Sequence, residues 1–195
     1  MHAPIVLEGR HVRLEPLTLD DLPDLTAVGL DPDLWRWSLA PVQGADDLRG
    51  YVERALAERD RGVSLPFAII DRAGGRAVGS TRYGNIALEH HRLEIGGTWI
   101  ARPWQRTAFN TETKWLLLRH AFETLGCLRV EFKTDALNVQ SRAALLRIGA
   151  REEGTFRAHM VTTEGRIRDS VYFSILAEEW PAVGAALQQR LARGG

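Results

Sequence analysis

The stretch that decides the fold is TWIARPWQRTAFNTETKWLLLRHAFETLG, residues 98–126. It starts with strand-forming residues at 98–100, breaks at Arg102-Pro103, and continues as an amphipathic pattern that predicts a helix over about 107–125. Gly126 is a typical residue to end that helix. The sequence therefore predicts a strand, a short turn and a long helix in direct succession.

The turn QRTAFNTE, residues 105–112, allows two interpretations. The first N–H groups of a helix have no intrahelical partner and carry partial positive charge, so they attract anions, and small side chains let a ligand approach them. The other interpretation is an ordinary strand-to-helix turn in which Asn110 or Thr111 caps the helix. The residues of the turn alone leave both open.

The segments on either side of this stretch alternate between strand and helix patterns. Alternation of apolar and polar residues, bounded by turn residues, predicts strands at 11–17, 64–71, 76–88, 92–100, 127–135, 150–162 and 166–176. Helical spacing predicts helices at 17–30, 45–59, 107–125, 138–149 and about 178–193. The glycine-rich RAGG between the second and third strands predicts an antiparallel hairpin. We therefore expect one α/β (α+β) domain over residues 1–195 with a mixed sheet of about seven strands.

Composition excludes several classes of protein. The 195 residues carry 25 basic and 25 acidic side chains, and this balance argues against a dedicated nucleic-acid binder. Cys127 is the only cysteine, so neither an intramolecular disulfide nor a cysteine-based zinc cluster is possible. No apolar run approaches the length of a membrane span, and the start has no leader pattern. We expect a cytoplasmic protein without metal, monomeric or homodimeric.

The element order and three sequence blocks resemble the GNAT N-acetyltransferases. The blocks are the Q-x-x-A-x-N turn at 105–110, the N-x-x-S block with its following glycine and EG at 138–154, and the closing strand RDSVYFSIL at 168–176. Within the family, the sequence is most similar to the branch that acetylates the N-termini of ribosomal proteins. The resemblance covers nearly the whole chain, and it implies a mostly antiparallel sheet whose strands splay apart at an acetyl-CoA site.

The resemblance also implies which residues hold acetyl-CoA. The turn residues would bind the pyrophosphate, the strand before them would bind pantetheine, and the next helix would lie beside the cofactor. The implied cofactor-binding residues are Trp99, Ile100, Gln105, Arg106, Thr107, Ala108, Phe109, Asn110, Thr111, Asn138 and Ser141. Ala108 departs from the glycine usual in the family, which would strain the loop if φ had to be positive there.

The family reaction moves an acetyl group from a thioester to a primary amine. Such an amine is protonated at pH 7, and removing its proton costs about 4 kcal/mol, so a base helps. Glu94, on the strand before the turn, is the candidate base; alternatively it is solvated or paired with Arg92 or Arg82. The resemblance implies that a backbone N–H near 98–100 stabilises the thioester oxygen, and the GGTW sequence predicts an irregular strand there.

Two residues are candidates for stabilising the departing thiolate. The resemblance places Ser141 near the sulfur and Asn138 beside the cofactor, although Asn138 can equally serve as the helix cap. Tyr172 is the other candidate, because relatives outside this branch use a late tyrosine; otherwise it is an ordinary core or surface aromatic.

The sequence defines the site for the acceptor amine less well than it defines the acetyl-CoA site. Trp35 and Trp37 either pack a helical cap on the sheet or line the site that receives the amine. Four basic residues of the closing hairpin either orient an acceptor carboxylate or are surface charges: Arg157, His159, Arg166 and Arg168.

The first hypothesis is therefore an acetyl-CoA-dependent N-acetyltransferase, and the alternative is a non-catalytic acyl-CoA-binding module. Two further features are expected to be chemically inert. Cys127 is read as a small buried residue, and His90 with His91 as part of a solvated turn rather than a metal site, because adjacent residues of an extended chain point to opposite faces.

Overall fold

A computed structural model describes residues 5–194. The strands are β1 (Leu7–Glu8), β2 (Val12–Pro16), β3 (Ser64–Asp71), β4 (Arg76–Ala87), β5 (Arg92–Ile100), β6 (Arg129–Asp135), β7 (Arg151–Val161) and β8 (Ile167–Leu176). The α-helices are α1 (Leu22–Gly29), α2 (Ala45–Asp60), α3 (Ala108–Arg119), α4 (Val139–Arg147) and α5 (Trp180–Ala192). The seven predicted strands and five predicted helices are all present, and the two-residue β1 is an eighth strand that the sequence did not predict.

The strands form one sheet in the order β1-β2-β3-β4-β5-β6-β8-β7. Every neighbouring pair is antiparallel except β5 and β6. The predicted mixed, mostly antiparallel sheet is therefore confirmed, as is the antiparallel hairpin of β3 and β4.

The parallel pair β5 and β6 separates partway along its length. Its pairing runs only from Arg92–Arg129 to Glu94–Glu131, whereas β5 continues to Ile100 and β6 to Asp135. The two strands therefore diverge toward their carboxyl ends, as the resemblance implied, and the sheet is split there.

Apolar residues pack on both faces of this sheet. One face, called here the α3 face, carries the larger core, in which Leu93, Ile95 and Phe132 of the sheet pack with residues of α3, α4 and α5. The opposite face, called the α2 face, is covered over β3 and β4 by α1 and α2. Because neighbouring residues of a strand alternate, Glu94 lies on the α2 face between Leu93 and Ile95.

Helix α3 is fixed to the start of the chain by Glu112. Its carboxylate, 4% exposed, accepts hydrogen bonds of 2.7 Å from the backbone N–H groups of Arg10, His11 and Val12. A Cβ at Gly9 would lie 2.5 Å from the Glu112 carboxyl carbon, so only glycine fits there. This bonding sets the position of the helix whose first turn was predicted to bind an anion.

Candidate active site

Strand β5 contains a bulge just beyond the point where it leaves β6. Gly97 has φ +57°, and the register of β4 against β5 shifts between the Ser80–Trp99 and Arg82–Gly96 pairs. A glycine with positive φ is typical of a bulge, which redirects backbone groups and re-aims the following side chains. The predicted irregularity of this strand is confirmed, and the bulge turns Trp99 toward the α2 face and Ile100 toward the α3 face.

The turn between β5 and α3 is held by its own side chains. The Gln105 side-chain amide donates to the carbonyl of Ile100 at 2.8 Å, and the Thr107 hydroxyl donates to the carbonyl of Trp104 at 2.6 Å. The same Thr107 oxygen accepts the N–H of Phe109 at 3.3 Å, which makes Thr107 the cap of α3. The sequence interpretation that placed the cap at Asn110 or Thr111 is therefore wrong, because the helix begins at Ala108.

The left-handed residue of this turn is Arg106, with φ +59°, and Ala108 is not among the residues of positive φ. The extra methyl group at Ala108 therefore introduces no left-handed strain, and the cost considered from the sequence does not arise. Arg106 and Thr107 are exposed, and Arg106 forms no salt bridge with residues 5–194. Its charge is thus available beside the first turn of α3.

Glu94 lies at the point where the split begins, with only 8% of its surface exposed. Its Oε2 atom accepts a 2.6 Å hydrogen bond from the Asn85 amide and lies 3.4 Å from the Lys133 ammonium. Neither alternative partner applies, because Arg92 pairs with Glu131 and Arg82 with Glu58. The Oε1 atom forms no hydrogen bond within the described part of the chain.

Tyr172 shares this face with Glu94. It lies opposite Lys133 across β6 and β8, with the Lys133 ammonium 5.9 Å from the ring centre. Burial, and next the negative charges of Glu94 and Glu131, raise the pKa of the Tyr172 hydroxyl. The structure therefore brings two of the three candidate catalytic residues together, with the tyrosine held in its protonated form.

The third candidate, Ser141, lies on α4, which packs on the α3 face. The Asn138 side-chain oxygen accepts the Ser141 N–H at 2.9 Å, so Asn138 does cap α4. The Ser141 hydroxyl forms no hydrogen bond with any described residue. Ser141 therefore lies on the α3 face of the sheet, whereas Tyr172 points to the α2 face.

Trp35 and Trp37, in the segment between α1 and α2, differ in exposure. Trp35 is 3% exposed, donates its indole N–H to the Gly29 carbonyl at 2.7 Å, and packs against Tyr51 and Trp99 with ring centres 5.1 and 5.2 Å away. Trp37 is half-buried, with the guanidinium groups of Arg36 and Arg166 5.2 and 5.7 Å from its ring centre. Trp35 thus packs the cap on the sheet, and Trp37 is the more accessible ring.

A buried lysine on the α3 face was missed from the sequence. Lys114 is 6% exposed, donates to the Thr98 hydroxyl at 2.7 Å just after the bulge, and lies 5.9 Å from the centre of the Phe132 ring on β6. It therefore contacts both strands of the split. Within residues 5–194 it has no carboxylate partner, and burial lowers its pKa to about 7.

Two depressions open near these groups. A cleft of about 770 Å³, called here the Tyr172 cleft, is lined by Asn85, Glu131, Phe156 and Tyr172 among others. A groove of about 470 Å³ runs beside the first turn of α3, where Thr107, Ala108 and Phe109 meet Arg10 and the end of α5. One depression lies on the α2 face beside Glu131 and Tyr172, and the other lies at the start of α3.

Residues expected to be inert have ordinary surroundings. Cys127 is 6% exposed, and burial raises its pKa, so it is not an activated thiolate. His90 and His91 are exposed, as expected. Between residues 5 and 194, no three His, Cys, Asp or Glu side chains are grouped so that they could hold a metal ion. None of the helices in that range is long and apolar enough to cross a membrane.

The mixed sheet is split beside a bulge and next to the start of α3, which is the arrangement that the resemblance to the GNAT acetyltransferases implied. Residues 11–151 match the family described as acetyltransferase (GNAT) domain. The chain belongs to the GNAT acetyltransferase family.

Individual relatives agree with this assignment. The "Putative ribosomal N-acetyltransferase YdaF" of Bacillus subtilis (strain 168) is 34% identical over 106 residues, which are 54% of this chain and 57% of that protein. The chain thus matches little more than half of that curated relative, and the match confirms the resemblance to the ribosomal-protein branch.

Solved structures extend the likeness over almost the whole chain. A GCN5-related N-acetyltransferase from Brucella melitensis has a TM-score of 0.86 and 34% identity, with 95% of this chain and 84% of that chain covered. Mycobacterium smegmatis RimJ in complex with CoA-disulfide has a TM-score of 0.75 and 24% identity, with 96% and 93% covered, and shows a shared fold.

Proposed function

We propose that the protein is an acetyl-CoA-dependent N-acetyltransferase in which the two substrates meet through the split between β5 and β6. The observation that carries this proposal is that the split, the Gly97 bulge and the buried Glu94 carboxylate lie within a few residues of one another on β5. Family membership and the CoA-disulfide complex of the RimJ structure support acetyl-CoA as the acetyl donor.

Acetyl-CoA fits the α3 side of the split. The first N–H groups of α3 and the unpaired Arg106 form a cationic surface suited to a pyrophosphate. The turn residues Gln105 to Thr111 and the strand end at Trp99 and Ile100 would hold the cofactor, with Asn138 and Ser141 of α4 beside it. The backbone N–H groups released at the bulge would stabilise negative charge on the thioester oxygen, an effect typically worth about 3 kcal/mol.

The amine would approach from the α2 face, where Glu94 lies. Its Oε2 is occupied by Asn85 and Lys133, so Oε1 is the atom free to accept a proton from the amine, directly or through one water. The neutral amine then attacks the thioester carbon within the ternary complex. The C–N bond forms and the C–S bond breaks as the departing thiolate accepts a hydrogen bond from Ser141. The excess proton on the nitrogen passes to the sulfur, which gives the amide and the CoA thiol.

The alternative of a non-catalytic acyl-CoA-binding module loses its main support, because Ala108 introduces no left-handed strain in the turn. The two functions are separated by one experiment. Acetyl-CoA binding is measured by calorimetry, and thiol release is then followed with a panel of amines and N-terminal peptides. Thiol release that depends on an amine supports the transferase, binding without release for any amine contradicts it, and absence of binding contradicts both functions.

A further inference from the structure

The carboxyl end of β6 and the start of β8 hold a cluster of buried charges on the α2 face. Asp135 is 1% exposed, its Oδ1 accepts the Leu137 N–H at 3.0 Å, and its Oδ2 lies 2.5 Å from an Arg166 nitrogen. The Nε of Arg168 lies 3.8 Å from the same Oδ2 without forming a hydrogen bond. One carboxylate thus faces two arginines, and Arg166 is the one bonded to it.

Arg168 is consequently a buried cation without a hydrogen-bonded partner. The residue is 7% exposed, and its side chain forms no hydrogen bond with any residue in the range 5–194. Burial lowers its pKa, while the charges of Asp135 and Glu94 raise it and that of Arg166 lowers it. The Nε atom of Arg168 is buried, and a buried N–H donor normally has an acceptor, so this atom lacks the acceptor that its burial requires.

Two neighbouring polar atoms are also without partners. The Oγ of Ser170, two residues along β8, and the Nδ1 of His159, on β7, are buried without a hydrogen bond to the described residues. Buried polar atoms are nearly always paired, so these three unpaired atoms make the hairpin a candidate site for a polar group from outside the chain. The His159 ring also packs on Tyr172, with ring centres 5.8 Å apart.

The segment between α1 and α2, which contains Trp37 and Leu39, contacts the turn end of the β7–β8 hairpin. The Leu39 carbonyl accepts the Thr163 N–H at 2.9 Å and the Thr163 hydroxyl at 3.2 Å. Trp37, two residues earlier, lies against Arg166. The segment between α1 and α2 therefore contacts this end of the hairpin, and Arg168 lies on the same face as Glu94 and Tyr172, close enough for the charges of both to act on it.

The formal charges of this region do not cancel. Arg166, Arg168 and Lys133 are cationic, whereas Asp135 and Glu94 are the buried anions that face them. The other charged pairs of the face, such as Arg92 with Glu131, are mutually compensated. One positive charge is left over, and it lies at Arg168, the arginine without a hydrogen bond.

We propose that Arg168, with Ser170 and His159, forms a subsite for a carboxylate of the acceptor. The acceptor would thus be an amine that carries a carboxylate near its nitrogen, and Arg168 would be a specificity-determining residue. This inference rests on the proposed transferase function, since it names the class of substrate for that same site.

The experiment measures binding of reaction products, so that it does not depend on turnover. N-acetylated glycine, alanine, leucine and glutamate are titrated by calorimetry into the protein with CoA, each against the matching N-acetylated amide. We expect the carboxylates to bind at least tenfold more tightly, which is the minimum for a charge-assisted hydrogen bond. The variant Arg168→Met should abolish this preference and Arg168→Lys should restore part of it.

The control variant is Arg157→Met, which changes an exposed arginine of the same hairpin and should keep the full preference. Equal binding of acid and amide by the unmodified protein, or an unchanged preference in Arg168→Met, would overturn the subsite. Thiol release is measured separately with the parent amino acids and other amines. A carboxylate preference without thiol release for any amine would contradict the transferase function and leave the subsite standing.

Discussion

The protein has two lysines, and they lie on opposite faces of the same split in the sheet. Lys133, on the α2 face, lies 3.4 Å from the Glu94 carboxylate. Lys114, on the α3 face, has a single hydroxyl partner and no carboxylate in the described part of the chain, and its pKa falls to about 7. The comparison shows that burial alone, without a partner, brings a lysine into the physiological range of titration.

The same comparison separates the chemistry of the two faces. On the α2 face, the Glu94 carboxylate and the Lys133 ammonium lie 3.4 Å apart beside the split, where an amine would approach. On the α3 face, the Lys114 ammonium lies under the strands that would receive a thioester. The following four experiments test this division, in order of decreasing expected effect.

Replacing Glu94 tests the α2 face. Glu94→Gln should reduce kcat/KM at pH 7 by about a hundredfold or more, which is the usual effect of a general base. The loss should be largest below pH 8, where the amine is protonated, and acetyl-CoA affinity should not change. The pH profile of thiol release measures this effect. Glu89→Gln, at an exposed position, is the control, and a loss of equal size at every pH would argue against a base.

Replacing Lys114 tests the α3 face. Its pKa is about 7 in the folded protein and near 10.5 in the unfolded chain, so the unfolded chain binds more protons between these values. The contribution of Lys114 to the free energy of unfolding is therefore most favourable above pH 10.5, where both states hold the neutral amine. It decreases as the pH falls to 7. Relative to Lys114→Met, the free energy of unfolding of the unmodified protein should rise by about 3 kcal/mol from pH 7 to 9.5.

Urea unfolding of the two proteins at pH 7, 8 and 9.5 gives this difference. The raised pKa values of Tyr83 and Cys127 affect both proteins equally and cancel. Lys133→Met is the matched control. The difference in free energy of unfolding between this variant and the unmodified protein should not show the rise of about 3 kcal/mol from pH 7 to 9.5. A constant difference for Lys114→Met at all three pH values would show that Lys114 keeps an ordinary pKa.

The hydrogen-bond donor to the departing thiolate distinguishes the two faces a third time. Ser141 lies on a helix of the α3 face and Tyr172 on the α2 face. We expect Ser141→Ala to lower kcat about tenfold with little change in acetyl-CoA affinity, because a hydrogen bond to a charged group is lost. Tyr172→Phe should stay within about twofold. A larger loss of kcat for Tyr172→Phe than for Ser141→Ala in steady-state assays would show that Tyr172, and not Ser141, stabilises the departing thiolate.

The smallest expected effect concerns the hydroxyl that Lys114 contacts. Thr98 also shares a 2.7 Å hydrogen bond with Thr81, so Thr98→Val removes a short hydrogen-bonded chain between β4, β5 and α3. The free energy of unfolding should fall by about 1 kcal/mol. The loss should be greater at pH 6, where Lys114 is charged, than at pH 9. An equal loss of free energy of unfolding at both pH values would show that the Thr98 hydroxyl does not stabilise the charged form of Lys114.

The fold was largely predictable because the periodicity of each segment matches its element. All predicted strands and helices were found, and β1 was missed because two residues cannot show a period. The cap of α3 was placed too late because Asn110 and Thr111 are also good cap residues, and the choice of Thr107 depends on its bonds to Trp104 and Phe109.

The site was predictable only in part. The irregularity at Gly97 and the position of Glu94 followed from the sequence, whereas the partners of Glu94 come from β4 and β6 and depend on the strand register. Lys114 was not singled out from the sequence. Its helical spacing to the buried Leu117 and Leu118 was the signal that it faces the core.

The hydrogen bonds of Glu112 determine when the chain can complete its fold. Its three donors lie 100 to 102 positions earlier in the sequence, so the turn between β1 and β2 cannot form these hydrogen bonds until Glu112 has left the ribosome. Contacts between such distant residues slow folding, because a long loop must be closed before they form. The hairpin of β1 and β2 is therefore expected to be the part of the sheet that assembles late, although it precedes the other strands in the sequence.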